Sequence, residues 1–412
     1  MKKNPLLVSL ILLIFFVISF LTNIIGPLVP DIIKSFDLSL KMASFLPFSF
    51  FVAYGLMSIP SGFLIENYGE KKIMIMAFLI SSIGAFLFSN TGTYSFYLIS
   101  LFLIGTGMAM LQVAINPLLR TIGGEKEFAF NSVLGQMFFG LASFISPLVY
   151  SYIINNVNDQ AESSNLIISL LNSIKIPEME WISLYWIFAI ISFIMVIIIS
   201  QIKLPIVEKK EDEKVGALQT HLTLLKKPIV LLYFIAIFCY VGTEVGVANW
   251  ISQFLETYHD INPQIQGAKT VSNFWGMMTL GTLLGLVLLK FIDSRKVLII
   301  NSIISILALL VALFGTSQQA LIAFPVIGFF IATMWSIIIS LALNSVSDSH
   351  GSFSGILVTG IIGGAFIPFI VGAIGDVFGL KTGLLFLIIT LLFILSIGFW
   401  AKPLINNKTF SN

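Results

Sequence analysis

Twelve long apolar runs dominate this sequence and fix what it can become. Read between charged residues and Gly, Pro or Asn breaks, they cover 7–29, 43–65, 72–89, 96–118, 128–152, 183–201, 229–254, 268–291, 297–315, 319–342, 352–374 and 381–401. An α-helix needs roughly 20 mostly apolar residues to cross ~30 Å of hydrocarbon. These runs are of that length and apolar on every face, whereas the strands of a membrane barrel are short and alternate in polarity. The expected fold class is therefore all-α, a polytopic membrane protein with 12 transmembrane helices. Composition agrees, because 57% of the 412 residues are hydrophobic and 10% charged, against about 25% charged in a soluble domain. A soluble globule of this size could not hide so many apolar side chains.

The first run follows two lysines and so shares the basic start of a secretory signal. Its apolar body exceeds the roughly 7–15 residues of a signal core and no A-x-A-like cleavage site follows, which makes it a retained span. Orientation follows from the basic residues, which favour the cytoplasmic side. With the N-terminus inside, 17 of the 22 Lys and Arg face the cytoplasm and 5 face out. One missed or invented span would scramble that asymmetry. Both termini are expected to be cytoplasmic and the chain to lie in the cytoplasmic (inner) membrane.

The stretch 203–228 is the most charged segment and follows the sixth span. It divides the chain into two expected six-helix bundles, 1–202 and 229–412, joined by a cytoplasmic linker. A faint repeat supports the division. After span two comes Gly62-Phe-Leu-Ile-Glu66-Asn-Tyr-Gly69-Glu-Lys71-Lys72. After span eight, a stretch from Gly285 ends in Asp293, Ser294, Arg295 and Lys296. Gly lets helices approach closely, and a carboxylate beside a basic turn can hold or release a neighbouring helix end. Gly62, Glu66, Gly69, Lys71, Asp293 and Arg295 are the candidate gating residues; a short charged turn obeying the positive-inside rule is the plain alternative.

Six plus six spans, a central inner loop and the pattern G-x-x-x-[DE]-x-x-G-x-[KR]-[KR] after span two resemble the major facilitator superfamily. Glu66 and Asn67 stand where that family prefers Asp and Arg. Three further stretches resemble its fucose–galactose–glucose symporter branch: Leu111 to Gly135, Tyr240 to Trp250 and Gly363 to Gly379. The resemblance implies a sugar permease working by alternating access, usually with cation symport. Several of the branch's polar positions have changed. Its span-one carboxylate, three residues after a Thr-Asn pair, is Gly26 here, and its span-four acid is Gln112. The span-eight Arg aligns loosely with Thr282, and two polar positions after Asn131 are Leu134 and Met137. Fold and class carry over; the proton mechanism does not.

An ionisable group at mid-membrane costs at least ~2.5–3.5 kcal/mol on insertion scales, so each one asks for a reason. Of the 20 acids, 19 fall in loops or at span ends, and the exception is Glu244. Fifteen residues into its run, at 1.5 Å per residue, it is expected ~23 Å from the inner boundary and outside the midplane. It could bind a cation, take a proton, accept from sugar hydroxyls, or serve as a protonated structural carboxyl. Gln112 and Asn116, four residues apart, share one helical face, and amides that both donate and accept suit hydroxyls. Interhelical bonding is the plain reading of both, and Asn116 also precedes Pro117. Asn23, Asn131 and Gln136 are further substrate-binding candidates. So are Trp275 and Trp335, whose rings could pack on a pyranose although most intramembrane Trp is packing. Asn249, Asn273 and Asn344 rank lower, and Asp31, past Pro30, is expected to be a helix-end residue.

Other classes do poorly. The net charge of +2 gives no basic field for nucleic acid. Cys239 is the single cysteine and the three histidines lie far apart in loops, leaving no metal cluster. No G-x-x-x-x-G-K-[ST] phosphate loop occurs. The chain is expected to be no enzyme and to need no cofactor beyond a coupling H+ or Na+. Its expected partners are a small neutral sugar and the lipid bilayer, and it is expected to work as a monomer. Uncoupled sugar facilitation and same-fold export of amphipathic compounds stay open; a receptor would want a sizeable soluble domain.

Overall fold

The computed structural model describes residues 5–124, 128–157, 165–176, 178–205, 207, 218–346 and 350–404. Of the charged linker expected at 203–228, residues 206 and 208–217 lie outside the described residues. Among the described residues twelve helices are long and apolar enough to cross a membrane, and each coincides with one of the twelve runs. They are α1 (Pro5–Phe36), α2 (Leu40–Tyr68), α3 (Glu70–Asn90), α4 (Tyr94–Gly123), α5 (Phe130–Val157) and α6 (Glu180–Gln201) in the first half of the chain. The second half supplies α7 (Pro228–His259), α8 (Pro263–Leu288), α9 (Ser294–Phe314), α10 (Ser317–Leu343), α11 (Gly351–Phe378) and α12 (Leu380–Trp400). No strand occurs among the described residues.

Helix ends are set by local chemistry that hydropathy does not see. α1 outruns its apolar stretch and stops at Asp37, whose φ of 49° turns the chain out of the helix. Within α1 the regular helix lapses at Asn23 and Ile24. Pro27 lacks the N–H that would bond the Asn23 carbonyl, and its ring crowds that oxygen. Pro30 does the same for Gly26. α7 likewise runs past residue 254 through Glu256 and Thr257, and ends only where Asp260 takes φ 52°. Gly69, at φ 81°, makes the turn between α2 and α3, a conformation in which a β-carbon would be strained.

The two groups of six helices meet through small residues. A β-carbon on Gly26 of α1 would come within 2.4 Å of the Ala248 carbonyl oxygen on α7. One on Gly140 of α5 would lie 2.0 Å from the Thr279 hydroxyl on α8, and one on Gly55 of α2 would lie 2.8 Å from Ile362 on α11. Without a hydrophobic drive between helices in lipid, such close backbone approach supplies the dispersion contacts that hold a membrane bundle.

The repeated charged turns make matching contacts. Lys71 Nζ donates to the Ser200 carbonyl at the end of α6, at 2.8 Å. Arg295 Nη1 donates to the Ala401 carbonyl just past α12, at 3.5 Å. In each half, then, a cation from the turn after the second helix satisfies a carbonyl left over at the end of the sixth. Asp293 caps α9 by accepting from the Arg295 N–H at 2.8 Å and pairs with the Arg295 guanidinium at 3.0 Å. That guanidinium holds the Asp293 carboxyl below the usual carboxylate range. Gly62 is buried and Glu66 exposed on the same stretch.

Candidate functional site

A cavity of about 450 Å³ lies among the helices, within the range of small-molecule sites. Its wall is built from α1, α2, α4 and α5 of the first group and α7, α8, α10 and α11 of the second. These are the same four positions in each group of six. The third and sixth helices of each group contribute no lining residue among those described. The lining reaches Ser132 near the start of α5 and Leu286 near the end of α8, while on the other side it stops at Ser143 and Trp275. The space therefore extends toward the helix ends that carry the Lys71 and Arg295 turns.

Five expected polar or aromatic residues beyond Asn23 face this space: Gln112, Gln136, Glu244, Trp275 and Trp335. Glu244 stands nearer the centre of its helix than its apolar run suggested. Because α7 continues to His259, sixteen of its residues precede Glu244 and fifteen follow, which sets the carboxyl at the centre of the helix. Tyr240, one turn earlier on the same face, brings its hydroxyl to the Glu244 carboxyl. Its ring in turn leans on Trp335, 6.0 Å between centroids. No lysine or arginine is among the described lining residues.

The amides divide by how much of their bonding capacity is already used. Gln112 Oε1 and the Trp275 indole N–H are buried and have no protein hydrogen-bond partner; buried polar atoms are nearly always paired, so these two can serve a ligand. Asn23 stands at the wall but is largely committed. Its Nδ2 donates to Ser143 Oγ at 2.8 Å and Ser19 Oγ at 3.2 Å, and Ser19 and Ser143 bond each other at 2.6 Å. This network ties α1 to α5 and leaves only the Asn23 carbonyl oxygen for a ligand.

Two expected site residues are placed elsewhere. Asn116 is exposed and does not line the cavity. Four residues advance a helix by ~6 Å as well as a little more than a full turn, so sharing a face with Gln112 carried it past the cavity wall. Asn131 is buried at the junction of α4 and α5, its Nδ2 filling the space where a Gly123 β-carbon would sit, 2.2 Å away. It is a packing residue made possible by a missing side chain on another helix. Asp31 also differs from the expected helix-end role. It is 8% exposed, accepts from the Tyr150 hydroxyl, and accepts from Gln264 Nε2 at 2.8 Å.

The hydroxyl-bearing wall was the part missed. Tyr54, Thr22, Ser132, Thr279, Thr282 and Ser336 all face the cavity. Thr279 and Thr282 donate to the carbonyls four residues back, at 2.9 and 3.0 Å. Intramembrane Ser and Thr so commonly satisfy themselves this way that their presence in a span carries little signal. The four-residue spacing of Tyr240 and Glu244 was the available clue.

The Major Facilitator Superfamily profile matches residues 11–360. The chain belongs to this superfamily. A glucose/galactose transporter of Brucella abortus is 29% identical over 399 residues, covering 94% of this chain and 92% of the relative. The solved fucose:proton symporter of Escherichia coli, titled as outward in conformation, superposes with a TM-score of 0.68 at 22% identity, over 96% of this chain and 98% of that one. A bacterial homologue of the human lysosomal transporter Spinster, titled as inward-facing and occupied, gives 0.79 at 14% identity, over 97% of each chain. As a member of this superfamily the chain is a multi-pass membrane transporter, and its cavity lies where the facilitator fold brings its two groups of helices together.

Proposed function

We propose that this chain carries a neutral hexose-type sugar across the cytoplasmic membrane by alternating access, coupled to symport of a cation. The observation that carries the reading is the cavity's chemistry: one carboxyl, two free-facing glutamines, a hydroxyl-rich wall and two tryptophans, with no lysine or arginine among its described lining residues. Hydroxyls that both donate and accept match glutamine amides, and indole faces pack on the C–H faces of a sugar ring. An anionic substrate finds no counter-charge there. The Brucella relative's name, glucose/galactose transporter, points to the same substrate class.

In this reading residues 1–202 and 229–412 rock as two bundles joined by 203–228, with both termini cytoplasmic and a single chain as the working unit. Gln112 and Gln136 bind sugar hydroxyls, with Trp275 and Trp335 against the ring. Glu244 is the coupling site. An ionised carboxyl sealed beside bound sugar without a base is costly, so the sugar-loaded carrier reorients only after a proton or sodium ion has neutralised Glu244. It returns after both have left, with water in the emptied cavity around the carboxylate. The lost span-one and span-four acids make this the one lining carboxyl among the described residues. Uptake of a radiolabelled hexose panel into proteoliposomes, under proton and sodium gradients imposed separately, tests the proposal. Accumulation of a hexose under one gradient is expected. Equilibration without accumulation would make the protein a facilitator, and no hexose movement under either gradient would overturn the sugar assignment.

A further inference from the structure

Two hydrogen-bonded carboxylates join the two groups of helices at the end of the bundle away from the charged turns. Asp376, near the end of α11, accepts from the Leu40 N–H at 2.7 Å and the Lys41 N–H at 3.0 Å, one carboxylate oxygen for each. Those N–H groups belong to the first turn of α2, which no carbonyl within the helix can satisfy. The carboxylate also meets the positive end of the α2 dipole. Asp31 of α1, itself 8% exposed, accepts from Gln264 at the start of α8 at 2.8 Å and from Tyr150 of α5. Around these bonds the ring pairs Phe45–Phe369 and Phe48–Phe366 pack α2 on α11, at 5.1 and 5.3 Å between centroids.

The sequence neighbours of these residues explain why they suit the task. Gly372, one turn before Asp376, has room for no β-carbon, since one would lie 2.7 Å from the Leu40 carbonyl oxygen. That missing side chain lets α11 come close enough for Asp376 to reach two backbone donors. These donors sit in the backbone of one group of helices and the acceptor on the other. Parting the two groups at this end breaks the two Asp376 bonds and the Asp31–Gln264 bond, whereas the Tyr150–Asp31 bond lies within one group.

We propose that Asp376 and the Asp31–Gln264 pair form a latch that holds this end of the transporter shut while the sugar cavity opens at the other. Asp376 is the principal element, because it satisfies two helix N–H groups across the interface that have no carbonyl within their helix. The latch rests on the alternating-access reading but not on the sugar assignment. Removing it lowers the closed-to-open ratio at this end by about tenfold, the weight of one charge-assisted hydrogen bond, and speeds opening there.

The test is the distance between spin labels on N90C and Q318C in a C239S background. Asn90 ends α3 and Gln318 begins α10, both exposed at the latched end and in opposite groups of helices. D376N keeps the size of the side chain but presents only one acceptor, and it is expected to add a longer-distance population that D376E removes. Q264L is expected to do the same to a smaller extent and serves if D376N fails to fold. The distances are read without sugar, so failure of the substrate assignment leaves this result standing. Unchanged distance distributions in both D376N and Q264L, in protein of parental thermal stability, overturn the latch.

Discussion

Replacing Glu244 by Gln tests the coupling chemistry with almost no change of shape. The amide retains the volume and can still bond the Tyr240 hydroxyl one turn away, so the cavity keeps its form. What is lost is one charge-bearing site at the centre of α7. Binding changes little, because one altered hydrogen bond is worth about 0.5–1.5 kcal/mol, or roughly two- to tenfold in KM. Accumulation changes completely. One coupled proton contributes about 1.4 kcal/mol per pH unit, so an imposed gradient of about two units drives the parent toward ~100-fold accumulation. Glu244→Gln, having nothing to titrate, equilibrates to an internal-to-external ratio of about one. The assay is radiolabelled hexose uptake in proteoliposomes, paired with exchange of internal for external sugar, which needs no net ion movement and is expected to survive. If the parent accumulates under sodium alone, the same loss is expected with pH clamped. Gradient-driven accumulation by the variant above equilibrium would falsify the assignment of coupling to Glu244.

Gln112→Leu removes an amide oxygen that has no protein partner; KM for hexose is expected to rise two- to tenfold, from about 0.5–1.5 kcal/mol of lost hydrogen bonding, with thermal stability unchanged. Asn131→Ala is expected to behave oppositely, lowering thermal stability by about 1–2 kcal/mol as a buried polar packing contact is lost and leaving KM at the parental value; a raised KM would return Asn131 to the binding site. The Asp293–Arg295 pair has its own pH signature. Since Arg295 depresses the Asp293 carboxyl, the pair's contribution is fully present above the ordinary carboxylate value of about 3.9 and is lost only as pH falls through the lower folded value. Substituting Asp293→Asn is therefore expected to leave the shape of the pH–uptake profile above about pH 5 unaltered; a displaced profile would show that the pair titrates within the transport range.

The residues that moved between expectation and structure did so for reasons of helix packing and helix length. Asn116 and Asn131 carried as much promise as Gln112 on residue type, and all three are amides in or beside apolar helices. Which of them faces the cavity depends on how α4 and α5 sit against their neighbours, in azimuth and, for Asn116, in height along α4. For Asn131 it depends on Gly123, a residue whose relevance is only that it has no side chain there. Glu244 moved for a different reason. A polar stretch at Gln253, Glu256 and Thr257 ended the hydropathy signal but not the backbone hydrogen bonding, so the centre of α7 lay further along the chain than its apolar run implied. Asp31, following Pro30, was expected to be a helix-end residue. Its partners, Tyr150 and Gln264, stand 119 and 233 residues away.

What the sequence determined by itself is the part governed by solvent. Lipid demands about twenty apolar residues per helix and forbids unpaired backbone, so the twelve spans, their count and the charged turns between them are legible without coordinates. The repeat of an acid followed by bases after the second and eighth helices belongs to the same level. Lys71 and Arg295 do perform matching tasks at the ends of α6 and α12. What only the tertiary structure decided is which face of each helix meets which other. That choice makes α1, α2, α4 and α5 with α7, α8, α10 and α11 the cavity wall, pairs Asn23 with Ser143, and aims Asp376 at the start of α2. A helix that is apolar all round has no polar face to mark the side that must turn outward. The azimuth is set instead by glycine gaps and scattered polar contacts between residues distant in sequence, and those exist only once the helices have packed.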